Sequence, residues 1–145
     1  MVFKSGLTNT VLGTVKYQVL SPTIKIHVHE HEVNLPVKMK IGIGTLSGYH
    51  YEAKFESPAL QNAHLTWRNQ KSYTRIDFEC LDDQSLPLAK FMSSTSWNLK
   101  KGGRLELYGT QASSRAVMDE IVVTGLALVY YTMIQITTNT AAAIS

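Results

Sequence analysis

The chain has 145 residues, of which 44% are hydrophobic and 17% charged, and a formal net charge of +3. This length suits one domain that buries a core without covalent staples, and the composition excludes a disordered chain. The positive charges are scattered rather than blocked, which speaks against nucleic acid as a ligand.

The single cysteine, Cys80, cannot form an intramolecular disulfide, and no oxidising compartment is implied. Residues 1–6 lack the apolar core of a signal peptide. A cytoplasmic setting is expected.

In chain order, the first two-thirds read as short strands. The first candidate covers 11–17. Ile24, Ile26 and Val28 then alternate with Lys25, His27 and His29, a period of two. Further strands are expected over 39–45, 49–55 and 64–69. Arg75, Asp77 and Glu79 alternate with Ile76, Phe78 and Cys80. Candidates over 88–93 and 95–99 follow, and Leu105 and Leu107 alternate with Arg104, Glu106 and Tyr108. Ser47-Gly48 and Gly102-Gly103 suit hairpin turns, because glycine reaches positive φ without steric cost. Ser21-Pro22, Ser57-Pro58 and Asp82-Asp83 mark loops. Strands over about 9–108 with close turns point to an antiparallel barrel or sandwich.

The chain then changes character. Asp119-Glu120 precedes IVVTGLALVYYTMIQI, residues 121–136, which is apolar on every face. Such a run is wrapped by protein on all sides or sits in lipid. Its length favours a helix over a strand, expected over about 118–136, with Asp119 and Glu120 at its positive N-terminus. Gly125 is a poor helix former and fits close approach of a neighbouring strand. A bilayer span takes about 20 apolar residues; this run is shorter and contains Gln135. Residues 137–145 read as a short tail. A closed sheet supplies apolar surface around a whole helix. The expected fold is therefore mostly β (α+β), a single domain over 1–145: a closed antiparallel β-barrel with a hydrophobic C-terminal helix through its centre.

Leu105-Glu106-Leu107-Tyr108 and, after a short connector, Met118-Asp119-Glu120-Ile121-Val122-Val123-Thr124 resemble the C-terminal signature of a group of uncharacterised fungal domains. These are similar to the tubby C-terminal (tubby/scramblase-like) fold. Residues 9–17, Ser21-Pro22-Thr23 and Trp67 match more loosely. The resemblance implies the same helix-threaded barrel. It departs where the apolar run continues as Leu126-Ala127-Leu128-Val129-Tyr130-Tyr131 and ends in a Thr/Ala tail. The wider superfamily includes phosphoinositide-binding proteins, but no lysine–arginine pair for that role maps onto this chain, and fold alone does not carry function.

Three constellations stand out. His27, His29 and His31 would share one face of a regular strand, which suits a divalent metal such as zinc or copper. The other readings are a solvated face or a pH-sensitive surface. Lys38, Lys40, Lys54, Lys100, Lys101 and Arg104 suit anionic lipid headgroups; lysines on strands also serve as solvated edges that block aggregation. Trp67, Trp97, Tyr49, Tyr51 and Tyr73 would stack on sugars if exposed, or pack in the core.

Catalysis has little support. Cys80 falls on an apolar face, and Gly42-Ile43-Gly44 lacks a third glycine. No cofactor is expected. The expected function is that of a soluble, non-enzymatic binding module for anionic lipid headgroups or a protein partner. The alternatives are a small lectin-like glycan-binding or defence protein and a tail-anchored membrane protein. A second copy docked through the tail is a further candidate partner.

Overall fold

The computed structural model describes residues 1–18, 21–42, 48–70, 77–93, 103–109 and 114–144. Its elements are β1 (Val2–Lys4), β2 (Val11–Lys16), β3 (Thr23–Val28), β4 (His31–Gly42), β5 (Gly48–Ser57), β6 (Ala63–Gln70), β7 (Asp77–Leu81), β8 (Pro87–Ser93), β9 (Gly103–Leu107) and α1 (Arg115–Ile144). A short 3-10 turn, Pro58–Leu60, joins β5 to β6. The nine strands are paired in chain order, each antiparallel to the next. Among the described residues, β1 and β9 are not hydrogen-bonded to each other, so the sheet is not closed by backbone pairing.

Period-two alternation builds both faces. On β3, Ile24, Ile26 and Val28 are buried while Lys25 and His27 are exposed. Register then aligns whole rows of side chains across the sheet. Val37, Ala53, Trp67, Cys80, Ala89 and Leu107 follow one another from β4 to β9 on the inner face. The neighbouring outer row reads Lys38, Glu52, Arg68, Glu79, Lys90, Glu106. Its charges alternate without a break. Each opposite pair on such a face contributes only about 0.2–1 kcal/mol. A one-residue slip would turn the charged row into the core, so the row and its apolar neighbour together specify register.

The helix lies against this sheet. From Asp119 to Val129 none of its residues is exposed, and its contacts come from well-separated strands. A Cβ at Gly13 of β2 would meet Val123, and one at Gly125 would meet Trp67 of β6. The Tyr17 hydroxyl donates to the Ala127 carbonyl at 2.9 Å, and the Phe3 ring lies 6.0 Å from that of Tyr130. The sheet therefore curls around the helix. Burying a Leu, Ile or Val side chain contributes about 1.5–3 kcal/mol. Ile121, Val123 and Leu128, all fully buried, thus hold the two parts together. Arg115–Gln135 is also long and apolar enough to cross a membrane, but 61% of its most apolar window is buried in the protein.

Several elements differ from expectation. The helix begins one turn earlier and runs through the Thr/Ala stretch to Ile144. Ser114 accepts its first backbone bond, from Met118 N–H at 2.9 Å. Asp119 and Glu120 therefore lie in the second turn rather than at the terminus. Strand β4 starts at His31, where Asn34 and Pro36 mask a clean alternation of Val33, Leu35 and Val37. The expected strand over 95–99 lies outside the described residues.

Candidate functional site

The inside of the curled sheet is occupied by Trp67, Phe78 and the helix, so a ligand site has to be sought on the outside. One concavity there is a groove of about 580 Å³ across β3 to β6. Its lining includes Glu32, Asn34, Pro36, Lys54, Glu56 and His64. This volume lies in the range of small-ligand clefts, about 300–1,000 Å³. Glu56 stands directly across from His64, and Lys54 across from Thr66. Two carboxylates thus flank one lysine beside an imidazole and an amide. The groove can bind both charges but carries a negative excess. Of these residues, only Lys54 belongs to the basic set that stands out in the sequence. The remainder come from three strands, β4, β5 and β6, whose register no local pattern reveals.

Of the predicted basic residues, Lys38, Lys40 and Lys54 lie on the adjacent strands β4 and β5, and Arg104 lies on β9. Lys38 faces Glu52 across β4 and β5, and Arg104 is paired with Glu106 on β9. Lys38 and Glu106 occupy opposite ends of the same six-residue row, about 24 Å apart as measured along the curled sheet at ordinary strand spacing. Lys40 lies on β4 opposite His50. Lys100 and Lys101 lie outside the described residues. Glu106 is held below the usual carboxylate range by the Tyr108 hydroxyl, with Arg104 and Lys90 adding to the effect.

The three histidines do not share a strand face. The chain turns at His29-Glu30, and Val28 pairs with His31. His29 takes positive φ, 55°. The cause is the two-residue hairpin, which demands left-handed backbone. His27 lies across from Glu32, its Nε2 3.8 Å from the carboxylate. His29 Nε2 lies 2.7 Å from Asp119 Oδ2 on the helix. Among the described residues, no group of three His, Cys, Asp or Glu side chains converges as a metal ion requires.

Of the aromatic set, Trp67 and Tyr51 are buried and present no stacking platform. Trp97 and Tyr73 lie outside the described residues, and Tyr49 is placed on β5 by its backbone.

At the start of the helix a second polar cluster holds the elements together. Glu120 is 2% exposed. Its Oε2 accepts from Ala59 N–H at 3.1 Å, while Oε1 is buried without a partner among the described residues. Burial pushes its carboxyl up, against opposing pulls from the Ser57 hydroxyl, the Ala59 amide and His31. Deeper in, Trp67 Nε1–H donates to Thr124 Oγ1 at 3.0 Å, and the Thr124 hydroxyl donates to the Glu120 carbonyl at 2.8 Å. Cys80 is buried, and burial first, then Glu120 and Asp82, raise its thiol far above its ordinary range. A buried thiol so shifted is a poor nucleophile.

No protein-family model matches the chain, and no curated protein or solved structure matches it.

Proposed function

We propose that this protein is a non-enzymatic, cytoplasmic binding module: a barrel closed around its own helix, of the tubby-like kind, that engages a protein partner on its outer face. The observation that carries the reading is the groove of about 580 Å³ over β3 to β6, set on a sheet whose inside is filled. Its mix of Glu32, Glu56, Lys54 and His64 suits a ligand that itself carries both donors and acceptors. A purely anionic surface would be opposed by the two carboxylates. The matching of Lys38 by Glu52 and of Arg104 by Glu106 points the same way.

A lipid reading is favoured by one other feature. Lys16 and Lys25 stand directly opposite each other on β2 and β3, both exposed. Like charges so placed are unfavourable unless an anion joins them.

Amide-resolved NMR separates the two. Peptides selected on an array are titrated into the labelled protein, in parallel with phosphatidylserine vesicles. The expected result is shifts clustered at Lys54, Glu56 and His64 with peptide, and no salt-sensitive pelleting with vesicles. Pelleting that is lost in Lys16→Glu/Lys25→Glu, with no peptide-dependent shifts, would replace the protein-partner reading by the lipid one.

A further inference from the structure

Strand β4 changes partner part-way along. His31 to Pro36 pair with β3, and Val37 to Gly42 pair with β5. Among the described residues, the β4–β5 ladder goes no further than Val37–Ala53. The residue at the hand-over is Pro36. It has no N–H to give to the next rung, which would fall at Lys54. Beyond that point, the first half of β4 and the last residues of β5 form the two sides of the groove.

Backbone direction follows from two bonds. In an antiparallel strand, alternate residues turn both backbone groups to the same neighbour. Val37 N–H bonds Pro22 O at 2.9 Å, so the odd-numbered residues of β4 here face β3. Glu32 and Asn34 face the groove side. Asn62 N–H bonds Ser57 O at 2.8 Å, so the odd-numbered residues at the end of β5 face β6. Lys54 and Glu56 face the groove side. The groove therefore runs along two strand edges that the β4–β5 ladder does not join. Among the described lining residues, the carboxylates of Glu32 and Glu56 stand at these edges against the ammonium of Lys54.

We infer that this groove is a strand-addition site, which takes an extended, basic peptide segment pairing with the Glu32–Asn34 edge of β4. The inference rests on the protein-partner reading above and specifies its chemistry. Main-chain hydrogen bonds along an open edge supply affinity, and alternate side chains supply selectivity. An extended segment of about four residues covers about 13 Å of the edge. Its lysine or arginine side chains meet Glu32 and Glu56, and this charge match selects a basic strand over an acidic one. Pro36 closes one end of the edge and keeps two copies of the sheet from zipping together along it.

The test uses three eight-residue peptides: alternating threonine and lysine, alternating threonine and glutamate, and the lysine peptide N-methylated at every second amide, in both registers. Fluorescence anisotropy reads affinity, and hydrogen exchange reads the Glu32 and Asn34 amides. The lysine peptide is expected to bind at least about tenfold more tightly than the glutamate peptide. One methylation register should abolish binding, the two amides should slow on binding, and Glu32→Lys/Glu56→Lys should reverse the preference. Equal binding of lysine and glutamate peptides, or tolerance of both methylation registers, would overturn strand addition. If array-selected peptides still shifted Lys54 and His64, the binding-module reading would survive that outcome. Absence of any peptide binding, with vesicle pelleting intact, would remove both.

Discussion

The benzo edge of Trp67 fills the space that a side chain at Gly125 would take. A Cβ at 125 would stand 2.8 Å from Cζ2 and 2.9 Å from Cη2 of the indole. Trp67 in turn has room on the sheet because its cross-strand neighbours are small, Ala53 and Cys80. Gly125→Ala gains about 1 kcal/mol of helix propensity and loses about 1–3 kcal/mol to overpacking against a ring with no space to retreat. Urea denaturation should show a net loss. Combining it with Trp67→Phe should cost less than the sum of the two single changes, since the clashing ring atoms are then absent.

Thr124 links that ring to the helix backbone. Thr124→Val keeps the shape and removes the acceptor for the Trp67 indole N–H, which is fully buried. An orphaned donor of this kind costs about 1–3 kcal/mol. Thermal melts should report the loss, and a shift in indole fluorescence should accompany it.

Leu128 is fully buried in the enclosed part of the helix. Leu128→Ala should cost about 2–5 kcal/mol through lost transfer energy and the cavity left behind. Leu128→Asp places an unpaired charge there, costs more than the alanine change and should unfold the domain. A native circular dichroism spectrum for the aspartate variant would contradict the enclosure of the helix.

Glu120 should make stability fall as pH rises. Its folded carboxyl is raised above the ordinary value of 4.5, chiefly by burial. The folded state therefore holds a proton that the unfolded chain has already released. The contribution is fully present below the ordinary carboxylate range and is lost as pH climbs through the raised value. Glu120→Gln keeps an acceptor for Ala59 N–H and cannot ionise. Urea midpoints measured from pH 4 upward should slope less in this variant than in the parent.

The outer charge row offers a fifth test. Glu79 lies between Arg68 and Lys90 and accepts from Arg68 Nε at 2.7 Å. Glu79→Lys would set three positive charges side by side, with an expected cost of about 1–2 kcal/mol. Because the row faces solvent, 0.5 M salt should recover part of that loss. Equal midpoints for parent and variant at low salt would mean that the row contributes nothing.

Much of the architecture was legible in local patterns. Period-two alternation marked β3, β7 and β9, and the absence of any polar face on residues 121–136 marked a helix that had to be surrounded. Both are signals of the chain's own neighbours, and burial acts on them directly. The alternation of Val33, Leu35 and Val37 was hidden because Asn34 and Pro36 carry no strand preference of their own.

The candidate site was scarcely legible, for a physical reason. His29 at positive φ is the work of a two-residue hairpin, which separates it from His27 and carries it to Asp119, 90 residues away along the chain. Cross-strand register likewise puts Glu52 opposite Lys38, a pairing that no local pattern shows. Local residue pattern is enough to make this protein strand-rich and to end it in a helix that needs cover on every side. Which strands meet, and so where the sheet parts at Pro36 and leaves a groove, emerges in the folded chain alone: pairing partners are set by long-range burial, which no short window of residues contains.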